Sequence, residues 1–167
     1  MLAVGALTTR RAARFGLDAP GEIDLLAVDI AHDRIWVVEC KHLRQPFGPV
    51  EIARHVAAFH GAEALTGAAD ALRLSRRAED AYVSKLLAKA DAVSADTAAA
   101  VRAVGGESRH VPERIWSVVP AVVTFQVEVA AFAAAPRVVF AAALDAAAMF
   151  ATEAVPGPGW WSASLPP

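Results

Sequence analysis

Gly21-Glu22-Ile23-Asp24-Leu25-Leu26 and Val37-Val38-Glu39-Cys40-Lys41 decide the fold, because both read as apolar strands into which charge has been set. An unpaired charge in a strand interior is costly to desolvate. Asp24, Glu39 and Lys41 must therefore be paired with one another, bound to a cation, or held for chemistry. Residues 21–30 and 34–43 are rich in Ile, Val, Leu and Trp, with the polar His32-Asp33 between them as the expected turn.

Side chains alternate faces along a strand, and the two arms of a hairpin pair at a constant index sum. With Ala31 facing Arg34, Asp24 falls opposite Lys41 and Leu26 opposite Glu39. The three charges then share one face, together with Glu22. Ile23, Leu25, Ala27, Val38 and Cys40 are expected on the other face, in the core. A three-residue turn would shift the register by one and part Asp24 from Glu39 and Lys41.

Two converging carboxylates repel unless a cation lies between them, and hard oxygen donors suit Mg²⁺ or Mn²⁺. The expected metal ligands are Asp24, Glu39 and the backbone carbonyl of Cys40, with Glu22 as a further candidate. Lys41 would orient a water or stabilise charge on a phosphoryl oxygen. That is a constellation for phosphodiester hydrolysis. The alternative, which needs no metal, is a cross-strand Asp24–Lys41 ion pair with Glu39 beside it.

Asp24, followed after a hairpin by Glu39-Cys40-Lys41, resembles the PD-(D/E)xK, or restriction-endonuclease-like, nuclease superfamily. The wording of the two stretches is similar to its Holliday-junction-resolvase-like and Mrr-like branches. The resemblance covers residues 21–43 and, more loosely, the helix and strand that follow. It implies a Mg²⁺-dependent endonuclease acting on DNA, in which Asp24 and Glu39 hold metal and Lys41 assists the attacking water. Many members carry a further acid on a helix ahead of the first strand. This chain has no carboxylate before Asp18. Glu22, on the same expected face, is a candidate substitute, or the acid is absent and the site reduced, or it belongs to a portion ahead of this sequence. The alternative reading is a domain that binds nucleic acid or a protein partner without cutting.

With 167 residues, 56% of them hydrophobic, the chain fits one domain over residues 1–155 followed by an irregular tail, 156–167. A single cysteine excludes an internal disulfide and a Cys-rich zinc site, and agrees with a reducing compartment. Arg10, Arg11 and Arg14 precede no long apolar run, so no secretory signal is read and the cytoplasm is expected. The apolar carboxyl half is interrupted by Pro120, Gln126, Glu128, Pro136, Arg137 and Asp145 before a membrane span is reached.

A net charge of −2 provides no general attraction for nucleic acid, which must come from local patches. Arg54 and His55 are the expected DNA contacts, because the helix after the Glu39 strand starts near the carboxyl end of the sheet, with Arg44, from the Lys41, His42 and Arg44 patch after the motif, as a third. Arg10, Arg11 and Arg14, and Arg73, Arg76 and Arg77, are further candidate patches, each read first as a solvated face. Further partners are a second copy of the chain or a larger protein of which this is one domain. The apolar carboxyl half and the Trp160-Trp161 tail also admit a structural interaction module.

Gly48-Pro49 opens a helix with Ile52, Val56 and Phe59 as its apolar stripe. A second helix is expected over residues 71–90, burying Leu72, Val83, Leu86 and Leu87 and sending its charged side chains to solvent. A third, over 95–104, is capped by Ser94 and stopped at Gly105-Gly106. Residues 115–125 return to a strand pattern that Pro120 should break, and 137–141 form another strand. Short helices are read over 128–135 and 144–151. Strand, helical crossover and strand require a parallel pair, so the fold class is α/β: a restriction-endonuclease-like mixed central β-sheet flanked by α-helices.

Overall fold

The hairpin forms, but Asp29 gives it a longer turn than the sequence suggests. In the computed structural model, which describes residues 2–65, 73–74, 77–106, 113–125, 131, 137–143 and 146–151, β2 spans Ile23–Asp29 and β3 spans Arg34–Lys41. One Asp29 oxygen accepts the Ala31 N–H at 3.2 Å, and the other meets His32 Nδ1 at 2.6 Å. This local bonding folds residues 30–33 into the turn, with Asp33 at φ 52°, and sets Asp29 opposite Arg34.

The register therefore runs Leu25 with Val38, Leu26 with Val37 and Ala27 with Trp36, two residues away from the expected pairing. A shift of two preserves the faces. Carried one pair further, it sets Asp24 opposite Glu39, where Lys41 was expected.

β1 (Leu2–Leu7) and α1 (Thr9–Arg14) precede this hairpin. β1 pairs antiparallel with β2, Leu7 lying opposite Ile23, so β2 is an interior strand. After β3 come α2 (Pro49–His60), single 3-10 turns at Ala62–Ala64 and Ala78–Asp80, α3 (Tyr82–Ala95), α4 (Thr97–Gly105), β4 (Ser117–Thr124), β5 (Val139–Ala142) and α5 (Ala146–Ala151). The strands line up in chain order, β1-β2-β3-β4-β5. The Ser117 N–H donates to Asp33 O, start beside start, and the Ala143 N–H donates to Thr124 O, end beside end. Those contacts are what parallel neighbours make, so the sheet is mixed and the α/β class holds.

The chain divides into two compact units. The first comprises Met1–Cys40 and Leu86–Val122. Its core buries Leu7, Leu17, Ile23, Leu26, Val28, Ile35, Trp36, Val37 and Val38 from the strands and their approach, and Leu86, Val93, Ala99 and Val101 from the helices. α4 packs on β1, β2 and α1. Both faces of β2 and β3 are covered, which is why Leu26 and Val37 are as buried as Ile23 and Val38. Cys40, expected in the core, is exposed. It lies at the strand's end, where covering elements run out.

The second unit comprises Lys41–Lys85 and the described residues from Val123 onward. Its centre is Phe59, whose ring lies 5.3 Å from Tyr82 and 5.7 Å from Phe140, both edge to face. Gly61 ends α2 at φ 91°, and a Cβ there would lie 2.7 Å from the Ala78 Cα, so only glycine fits.

Several expectations are corrected. α2 buries Ala53, Ala57 and Phe59, leaving Ile52 40% exposed, because the buried stripe is rotated by one residue. The second helix starts at Tyr82 and runs to Ala95, so Ser94 is no cap: its hydroxyl donates to Ala90 O, and Asp96 caps α4 by accepting the Ala99 N–H at 2.7 Å. β4 runs through Pro120, forgoing one ladder N–H without breaking. Of the short helix read over 128–135 only Ala131 is described, and Leu72 and the tail lie outside the described residues. Among the described residues no helix is long and apolar enough to cross a membrane.

Candidate functional site

From Asp24 and Glu39 toward the turn, the face of the hairpin that carries them is apolar. Leu26, Val28, Ile35 and Val37 occupy it and are completely buried. The two carboxylates therefore cap the end of a dry surface, where charge interactions are stronger than in water. Asp24 is half-buried, and its Oδ2 accepts the backbone N–H of Cys40 at 2.8 Å. The bond aims the aspartate across the strand gap toward the Glu39-Cys40 segment.

Glu39 is 9% exposed. Its Oε2 accepts from Lys89 Nζ at 2.7 Å, and Lys89 itself is only 8% exposed. Lys89 was expected in solvent with the other charged residues of its helix. Its spacing carried a signal, because it stands three residues after Leu86 and four before Val93, on the buried face. Its stem passes Gly21, where a Cβ would lie 3.9 Å from Lys89 Cε and φ is 105°. Ion pairing offsets part of the desolvation cost of both groups. Deleting one partner of such a pair leaves a buried charge uncompensated, at about 3–5 kcal/mol.

Comparison with protein-family models, with curated proteins and with solved structures finds no match for this chain.

The remaining expected residues divide by unit. Glu22, in the first, is exposed ahead of β2 and makes no hydrogen bond or ion pair among the described residues. Lys41 belongs to the second unit, where its ammonium lies 4.8 Å from the centre of the Tyr82 ring. The expected cross-strand pairing of Asp24 with Lys41 does not fit the observed register, which runs two residues away from it.

Arg44, read from sequence in the patch that follows the motif, lies beside Arg54 and His55, read on the next helix. With Gln45, Pro46 and Glu51 they line one cavity of about 200 Å³ in the second unit. Glu51 Oε2 accepts the Phe47 N–H at 2.8 Å, tying the approach loop to the first turn of α2. Phe47 is 79% exposed, with the Arg44 guanidinium 5.8 Å from its ring.

Among the described residues no group of three or more His, Cys, Asp and Glu side chains is arranged to hold a metal. The donors at the hairpin end are two carboxylates. Mg²⁺ is commonly held by one or two carboxylates, with waters and substrate phosphate completing its octahedron. The Asp24–Glu39 pair fits that donor set in type and number.

Proposed function

We propose that the chain is a metal-dependent nuclease domain of the PD-(D/E)xK kind, hydrolysing phosphodiester bonds in DNA with Mg²⁺ or Mn²⁺ held by Asp24 and Glu39. The observation that carries this reading is that Asp24 and Glu39 stand just beyond the Leu25–Val38 pair at the open end of the hairpin, at the margin of an apolar face, with Asp24 bonded to the Cys40 N–H and Glu39 to Lys89. Support also comes from the strand order, an antiparallel meander followed by a crossover to a parallel neighbour. The single cysteine, in no disulfide, agrees with action in the cytoplasm.

A bound divalent ion supplies a water of lowered pKa and positive charge opposite the phosphoryl oxygens. The chain's own residues do the positioning. The Cys40 N–H steers Asp24, and the Lys89 ammonium holds one oxygen of Glu39, reducing the rotamers open to each carboxylate. Lys41 is the lysine that the resemblance assigns to assisting the attacking water. Arg44 and Arg54 hold DNA phosphates at their cavity, as cations with planar donors suit, with His55 beside them as a further hydrogen-bonding group.

The test is Mg²⁺-dependent cleavage of DNA by the intact chain. Asp24→Ala and Lys41→Ala are each expected to abolish it while the thermal melt stays cooperative, and undiminished cleavage by either removes the assignment.

A second reading is favoured by one observation. The Lys89 ammonium already gives Glu39 a counter-charge, so the carboxylate pair is less dependent on a metal. On this reading the domain binds nucleic acid or a protein partner without cutting. Calorimetric titration with Mn²⁺ separates the two. Binding lost in Asp24→Ala and Glu39→Ala supports hydrolysis, and absence of binding to the unaltered chain supports the second reading.

A further inference from the structure

A second charged feature lies in the first unit, on α1. Arg10, Arg11 and Arg14 are all exposed and, with Thr8, line one cavity of about 450 Å³ to which no acidic side chain among the described residues contributes. None of the three forms an ion pair among the described residues. The helix alone accounts for only part of this pattern. Arg11 and Arg14 lie in the last turn, where the negative end of the dipole favours cations. Arg10 stands in the first turn against the dipole, four residues from Arg14, where like charges repel.

The position of α1 supplies the second argument. Leu7 pairs with Ile23, and Thr8 then caps α1 by accepting the Arg11 N–H. The helix thus begins at the same end of the sheet as Asp24 and Glu39. From strand spacing and rise, the Thr8 and Asp24 Cα atoms are roughly 8–10 Å apart. Each strand of duplex DNA carries one phosphate per about 3.4 Å of axis, so that interval spans two or three phosphates.

We propose that the Arg10–Arg11–Arg14 face of α1 docks the phosphate backbone of a DNA strand that runs past the Asp24–Glu39 end of the sheet. This inference rests on the nucleic-acid reading of the Asp24–Glu39 end, and it commits to nucleic acid over an anionic membrane because that end is where the arginines converge. The contact is to phosphates, so it carries no sequence preference of its own.

The experiment is fluorescence anisotropy of a labelled DNA duplex with the full chain in EDTA, where no cleavage is read, over a salt series from about 50 to about 200 mM. The triple variant Arg10→Ala, Arg11→Ala, Arg14→Ala is expected to bind at least about tenfold more weakly at low salt. Its slope of log affinity against log salt should fall by about 2 to 3. The triple arginine-to-lysine variant, which keeps the charge, should retain most of the binding. An unchanged slope overturns the proposal. So does a lysine variant as weak as the alanine one, or arginine-dependent binding to phosphatidylserine vesicles without arginine-dependent binding to DNA. Duplex binding through these arginines by a chain that never cuts would defeat the hydrolytic reading while upholding this one. Cleavage that persists with undiminished binding after the arginines are removed would do the reverse.

Discussion

The two ends of the β2–β3 hairpin both gather carboxylates and cations, and they do so by different means. At the turn end, Asp29 bonds to Ala31 and His32 within three residues of itself, and Asp33 pairs with Arg114, whose guanidinium also donates to Ile30 O. Each acid there satisfies the backbone or neighbour that shapes the turn. At the open end, Asp24 reaches across to Cys40, and Glu39 is met by a lysine fifty residues further on. Those acids shape no turn. They stand at the end of a buried apolar face, where unneeded charge would be expensive. The contrast separates charge that builds a hairpin from charge that the hairpin presents.

The largest effect that would break this contrast is on cleavage. Asp24→Ala should lower Mg²⁺-dependent DNA hydrolysis by at least about a hundredfold with little change in melting temperature, whereas Asp29→Asn should leave the rate per folded molecule unchanged. Equal losses from both would mean that the two ends do the same work.

Next comes the Lys89–Glu39 pair. Lys89→Met should destabilise the fold by about 3–5 kcal/mol, read by urea denaturation. Adding Glu39→Leu should recover most of the loss, because a buried pair replaced as a unit leaves no orphan charge. A negligible loss in Lys89→Met would show that Glu39 needs no ammonium.

The turn end predicts a smaller loss with a pH signature. Burial pushes the Asp29 carboxyl up, but the His32 hydrogen bond and charge, with the Ala31 N–H, outweigh it and hold the group below the ordinary carboxylate range. A folded-state value below the unfolded one contributes stability above about pH 4, lost as pH falls through the folded value. Asp29→Asn should therefore cost about 1–2 kcal/mol at neutral pH and progressively less in acid, measured by melts across that range. Smallest of all, Arg114→Ala removes a solvent-exposed partner of Asp33 and should cost about 1 kcal/mol or less.

How far the sequence could be read follows from the same contrast. Strand alternation was enough to bring Asp24 and Glu39 to one face, since an error of two in the register leaves parity intact. The register itself was not legible, because it depends on Asp29 folding back on Ala31 and His32, a choice that strand patterning does not encode. Lys89 was missed for a different reason. A lysine on a helix is usually solvated, and only its place between Leu86 and Val93 pointed inward. β1 escaped because six residues form too short a run to distinguish a strand by period. The helix that carries Arg54 and His55 was legible, since Pro49 marked where α2 begins, but that Arg44 joins them was not, because it depends on the path of the loop between β3 and α2.

The central claim is that Asp24 and Glu39 form a hard-cation site. It is tested most directly by anomalous diffraction from crystals of the intact chain grown with Mn²⁺. The account predicts a peak at about 2 Å from an oxygen of each carboxylate, with Lys89 still on Glu39. No peak there, with the ammonium of Lys89 as the only cation at the pair, would contradict it.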